Sequence, residues 1–126
     1  IRRMNDDLNF GIEIVPVPTV RERDGLAMSS RNAFLSSMDR EKAVVLSRSL
    51  KLAQEMVADG ICSTEKIKSA MRSLILSEVP AAVIDYIEVV DDDTVQPLIQ
   101  VNGPSLIALA VKIGGTRLID NITVRP

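Results

Sequence analysis

Leu106-Ile107-Ala108-Leu109-Ala110-Val111-Lys112-Ile113-Gly114-Gly115-Thr116-Arg117-Leu118-Ile119-Asp120-Asn121-Ile122-Thr123-Val124 is the stretch that decides the fold. Its first part, Leu106 to Ile113, is nearly all apolar, as expected of a central strand. Gly114-Gly115 is a two-residue hairpin signal, because such turns need positive φ. Thr116 to Val124 returns with Leu118, Ile122 and Val124 on one face, while Asp120 interrupts the alternation. A further strand is expected upstream, from Val83 to Val90, β-branched and half alternating.

Two helices are expected ahead of these strands. The first runs from Met38 to Ala58, with Ala43, Leu46, Leu50, Ala53 and Val57 on one stripe. Ser36 and Asp39 have a capping-box-like spacing at its start, and Gly60 closes it. The second runs from Thr64 to Ser77, capped by Ser63, with Ile67, Ala70, Met71, Leu74 and Ile75 facing inward. Further upstream, Ile1, Met4 and Leu8 stand at helical spacing with no cap before them. Gly11 is expected to end that helix, and Ile12-Glu13-Ile14-Val15 has strand propensity. A helix followed at once by a strand is half of a βαβ crossover whose first strand would precede Ile1. With no Met at position 1, the start reads as cut from something longer. The expected class is therefore α+β. Two helices pack on a small three-stranded, mostly antiparallel sheet, preceded by a truncated piece of a Rossmann-like parallel α/β domain.

Composition supports a globular chain. Of 126 residues 46% are hydrophobic and 25% charged, and the only aromatics are Phe10, Phe34 and Tyr86, so the core must be aliphatic. A net charge of -2 offers no basic surface for nucleic acid, and with aromatics so few there is no stacking platform for RNA. There is no histidine, and Cys62 is alone, which excludes an intramolecular disulfide and a cysteine-rich metal site. No apolar run is long enough to cross a bilayer, and the first residues do not form a secretory signal. A cytoplasmic location is expected, with no membrane partner.

Chemistry concentrates in Arg21-Glu22-Arg23-Asp24-Gly25-Leu26-Ala27-Met28-Ser29-Ser30-Arg31-Asn32. Asp24-Gly25 supplies a turn, and Leu26 to Met28 form an apolar anchor. The consecutive polar groups Ser29 to Asn32 suit phosphate, since hydroxyls and backbone N–H groups bond its oxygens and a guanidinium clamps two of them. The bland alternative is a solvated loop with a helix cap. Bland readings also hold elsewhere. Arg21 to Asp24 alternate in sign and would pair with one another. Asp91-Asp92-Asp93 is a poor cation site, with Asp93 as a cap; Asp120 is a satisfied polar group near the sheet edge; the methionines are mostly core fillers.

Val17-Pro18-Thr19-Val20-Arg21-Glu22, Asp24 to Asn32 and Leu35-Ser36 together resemble the pantothenate synthetase (pantoate–β-alanine ligase) family. Ile84 to Asp91 and Arg117 to Asn121 extend the likeness, which covers the whole chain but only the C-terminal part of a family member. The resemblance implies an AMP-forming ligase. MgATP activates pantoate as pantoyl adenylate, and the amine of β-alanine then displaces AMP. Residues 1–33 would be the remnant of the N-terminal nucleotide-binding domain with a loop like the KMSKS loop of class I aminoacyl-tRNA synthetases, and 34–126 the C-terminal domain. Met28, Ser29, Ser30 and Arg31 match that loop, with Arg31 as the catalytic cation, and Val20 would touch ATP through its backbone. No residue here is implied as a metal ligand, Mg²⁺ being held mainly by the ATP phosphates. The other ATP loop, which carries histidines, and the pantoate and β-alanine contacts would lie before Ile1, so this chain alone is expected to be inactive. Its partners would be the missing N-terminal domain and, in a homodimer, a second copy. The rival expectation is a non-catalytic interaction or oligomerisation module.

Overall fold

The computed structural model describes residues 1–126. Three strands, β1 (Val83–Asp91), β2 (Ser105–Ile113) and β3 (Thr116–Val124), form one sheet in the order β1-β2-β3. Both pairings are antiparallel, so the sheet is wholly rather than mostly antiparallel. Ile113 faces Thr116 across the hairpin, and Gly114 and Gly115 take φ of +55° and +80°, as a type I′ turn requires. β1 carries a register shift between Ile84 and Tyr86, leaving Asp85 as the extra residue.

The chain before the sheet holds α1 (Arg2–Asp7), α2 (Ser37–Lys42), α3 (Val45–Ala58) and α4 (Thr64–Glu78). The helix expected over Met38 to Ala58 is thus two helices. Ala43, Val45, Leu46, Leu50, Ala53 and Val57 are all buried. Three buried residues within four positions cannot share one stripe of a straight helix. The chain tightens at this point, with Leu46 N bonded to the Ala43 carbonyl three residues back, and the axis is re-aimed so that both segments face the core. Ser36 caps α2 as expected: its Oγ accepts from Asp39 N at 3.1 Å and donates to Asp39 Oδ2 at 2.7 Å. Ser63 caps α4.

α3 and α4 pack on one another and cover one face of the sheet, α3 over β3 and α4 over β1. Leu46, Leu50, Ile67, Met71 and Ile75 meet Ile107, Leu109, Val111 and Ile113 in an aliphatic core. Ala70 and Leu74, expected inside, are half-buried. Only Met71 of the five methionines is fully buried; Met4, Met28 and Met38 are exposed, against the expectation of core fillers.

Residues 1–20 differ from the rest. Ile1, Leu8, Phe10, Ile12, Val15 and Val17 are exposed. Ile12 to Val15 form no strand, because no neighbouring strand meets them and β structure needs a ladder. α1 ends at Asp7, with Leu8 as its C-cap, before Gly11, and Asn9 takes the left-handed conformation first, at φ +51°.

Candidate functional site

The segment from Val20 to Asn32 is held at four points. Glu22 N bonds the Leu26 carbonyl at 2.8 Å and Met28 N bonds the Val20 carbonyl at 2.9 Å, closing a tight loop with Gly25 at φ +96°. Leu26 is buried in the aliphatic core. Asp24 accepts from both Nη atoms of Arg40 on α2, at 2.7 and 3.2 Å. These bonds, with a further one from Leu26 N, hold the Asp24 carboxyl below the usual carboxylate range. Arg21 donates to both carboxylate oxygens of Asp120 on β3, at 2.7 and 2.9 Å, and this pairing keeps its guanidinium protonated even more firmly than usual. The charged run is therefore not mutually paired. Side chains close in sequence point to different elements, and their partners come from α2 and β3. Asp120 is, as expected, a satisfied polar group on an edge strand of the sheet, but it is not solvent-facing. It occupies an inward position of β3 and its side chain is 2% exposed.

Beyond Met28 the chain turns. Ser29 is extended and its Oγ accepts from Arg31 N at 3.2 Å, capping a short 3₁₀ turn over Ser30–Phe34. Asn32 Nδ2 donates back to the Ala27 carbonyl at 3.1 Å, while its Oδ1 is buried with no protein partner. Between this turn and β3 lies a cleft of about 240 Å³. Met28, Ser29, Arg31 and Asn32 line one side, Ile119 and Asn121 the other. Val20 and Ser30 stand outside the lining, Val20 joined to it through the backbone bond to Met28. Of the arginines at the cleft, Arg117 is bonded to Asp85 at 2.6 Å, whereas Arg31 is exposed and has no carboxylate within ion-pair distance. The site thus offers one free guanidinium, one serine hydroxyl and an amide oxygen seeking a donor.

Asp91 to Asp93 belong to a turn. Asp91 Oδ1 accepts from Asp93 N, Thr94 N and the Thr94 hydroxyl, so Asp91 rather than Asp93 is the cap.

The pantoate–β-alanine ligase profile matches residues 1–123. The chain belongs to the pantoate–β-alanine ligase family. The pantothenate synthetase of Caldicellulosiruptor saccharolyticus is 54% identical over 98% of the chain and 44% of its own length. That of Desulfatibacillum aliphaticivorans is 53% identical over the whole chain, again 44% of its own length. The crystal structure of pantothenate synthetase from Thermus thermophilus superimposes with a TM-score of 0.88 at 42% identity, covering 99% of this chain and 45% of that one. The chain therefore spans less than half the length of these relatives.

The sequence of this ligase-family chain pointed to Met28, Ser29 and Arg31, which line the cleft, but not to the cleft positions of Asp120 and Asn121 or to the anchoring by Arg21. The available signal was Asp120 itself. A carboxylate at an inward position of an apolar strand needs a cation or donors beside it, and the half-buried Arg21 supplies them.

Proposed function

We propose that this chain is the C-terminal part of a cytoplasmic, ATP-dependent ligase that joins pantoate to β-alanine, and that the loop from Val20 to Asn32 holds the phosphates of MgATP. In the first step a pantoate carboxylate oxygen attacks the α-phosphorus, and the bond to pyrophosphate breaks with its electron pair leaving on pyrophosphate. In the second the β-alanine nitrogen attacks the acyl carbon, AMP leaves with the electron pair of the C–O bond, and the nitrogen gives up its proton. The unpaired guanidinium of Arg31 beside the cleft is the observation that carries this reading. A fixed cation aimed at departing pyrophosphate lowers the barrier most, because charge grows there in the transition state.

Ser29 on the cleft wall, and Ser30 from just outside it, supply hydroxyls to the β- and γ-phosphates, and the Val20 backbone meets the nucleotide. Mg²⁺ travels on the phosphates, where it offsets their charge. The cleft, at about 240 Å³, is below the roughly 300–1,000 Å³ of whole ligand sites, so it suits one part of a nucleotide. The remainder would be covered by the N-terminal domain, docked against the exposed apolar residues 1–20. In this scheme residues 1–33 go with that domain, residues 34–126 form the C-terminal domain, and the loop is the seam.

The test is Arg31→Ala in the full-length ligase. Single-turnover formation of pantoyl adenylate should fall about 10²–10³-fold, with pantoate binding little changed; an unaltered rate removes Arg31 from the mechanism. The 126-residue chain alone, given MgATP, pantoate and β-alanine, should release no AMP, since half a clamp leaves the reactants unaligned. Release that Arg31→Ala abolishes would show that the chemistry needs far less of the parent.

A further inference from the structure

The Arg21–Asp120 pair has no part in the chemistry just described, yet its placement is costly. Asp120 stands between Leu118 and Ile122 on the inward face of β3, beside an otherwise aliphatic core. A carboxylate there loses hydration that an apolar residue would not need. Both its oxygens are taken by Arg21, and Oδ1 also accepts from Asn121 N at 2.8 Å. The same guanidinium donates to the Gly25 carbonyl at 3.1 Å and reaches the Asn121 carbonyl at 3.4 Å. One planar fork thus joins the entry of the loop, its turn, and the strand that forms the opposite wall of the cleft. Aliphatic residues of similar volume commonly stabilise such a site equally well or better, so stability does not account for the pair. Geometry does.

We infer that Arg21 and Asp120 are positioning residues that set the phosphate loop against β3. They hold the spacing between Met28–Arg31 and Ile119–Asn121 before substrate arrives. This rests on the ligase reading above. It has a selective consequence. Adenylate formation uses the triphosphate, whereas attack of the amine on the finished adenylate uses no β- or γ-phosphate. With preformed adenylate saturating, so that the Val20 contact does not limit the rate, a displaced loop should therefore slow the first half-reaction and spare the second.

The experiment measures both half-reactions in the full-length ligase: single-turnover formation of pantoyl adenylate, and its aminolysis when supplied preformed. Three variants are compared with Arg31→Ala. Asp120→Asn removes the charge. Arg21→Lys keeps a cation opposite Asp120, so no buried charge is stranded, but one ammonium cannot bridge the carboxylate and the Gly25 carbonyl as the fork does. Arg21→Met combined with Asp120→Leu replaces the pair by apolar packing and guards against a variant that fails to fold. Each should slow adenylate formation about 10²-fold, the loss produced by a misplacement of roughly 1 Å, and leave aminolysis unchanged. An equal fall in both half-reactions of the folded variants would make the pair purely structural and overturn the inference. No fall in either, with Arg31→Ala still slow, would overturn it while leaving the phosphate loop in place. If Arg31→Ala is also unaltered, the ligase role of the loop fails and this inference falls with it.

Discussion

Gly25→Ala tests how firmly the loop is fastened to the core. Gly25 has φ +96°, beyond the left-handed region that side chains tolerate, and an added Cβ would stand 3.1 Å from Ser47 Oγ on α3. The backbone strain is about 1–3 kcal/mol, and Ser47 must yield a few tenths of an ångström besides. The loop could escape this strain only by lifting off. Lifting exposes Leu26, which costs about 1.5–3 kcal/mol, and also breaks the Arg21–Asp120 pair. With the Arg21 side chain 30% exposed, that pair adds less than the roughly 3–5 kcal/mol of a fully buried one. Together the anchors outweigh the strain, so the loop should stay docked and the whole domain should bear the cost. Urea unfolding of the 126-residue chain should show a loss of about 1–3 kcal/mol with an unchanged m-value. Amide exchange at Leu26 and Met28 should stay slow. Gly60→Ala, at φ +83° with open space around it, isolates the backbone contribution and should cost slightly less. Full stability with fast exchange at Leu26 and Met28 would refute the reasoning, because it would mean that the loop detaches freely.

Gly114→Ala should destabilise more than Gly115→Ala. Both cost about 1–2 kcal/mol for a left-handed backbone, but only the first drives a Cβ into the Asp39 carboxylate, whose Cγ would be 2.7 Å away. Equal losses in urea unfolding would show that the Asp39 side chain swings aside from the hairpin at no cost. Acid should loosen two loops. Hydrogen bonds from Arg40 to Asp24, and from Thr94 to Asp91, lower the pKa of each carboxyl in the folded chain. A lowered folded-state pKa stabilises fully above the unfolded value of about 3.9, and the gain is lost as pH falls through the folded value. Protection of the Leu26 and Thr94 amides should therefore decline below about pH 4. Arg40→Met should reduce the pH dependence at Leu26, leaving the part due to the bond from Leu26 N to Asp24, and should not alter it at Thr94; a pH-independent Leu26 amide in the unmodified chain would exclude the Asp24–Arg40 tie.

The strands, the hairpin and the second helix were legible in the sequence, because each is specified locally. Gly114-Gly115 demands positive φ, Leu118 to Val124 alternate, and Ile67, Met71 and Ile75 recur at helical spacing. The family was legible for the same reason, since Asp24 to Asn32 is one contiguous run. Other features depended on partners distant along the chain. Ile12 to Val15 have strand propensity but no ladder, and a strand exists only with a neighbour. The break before Val45 is set by which residues the core will accept. Arg21 to Asp24 look self-paired when read in order, yet Arg21 reaches 99 residues ahead to Asp120 and Asp24 reaches 16 to Arg40. The sequence alone determined what the loop is made of. Where it is held, and which of its arginines is left free at the cleft, was decided only when α2 and β3 were packed beside it, because a charge takes its partner from whatever the fold brings near.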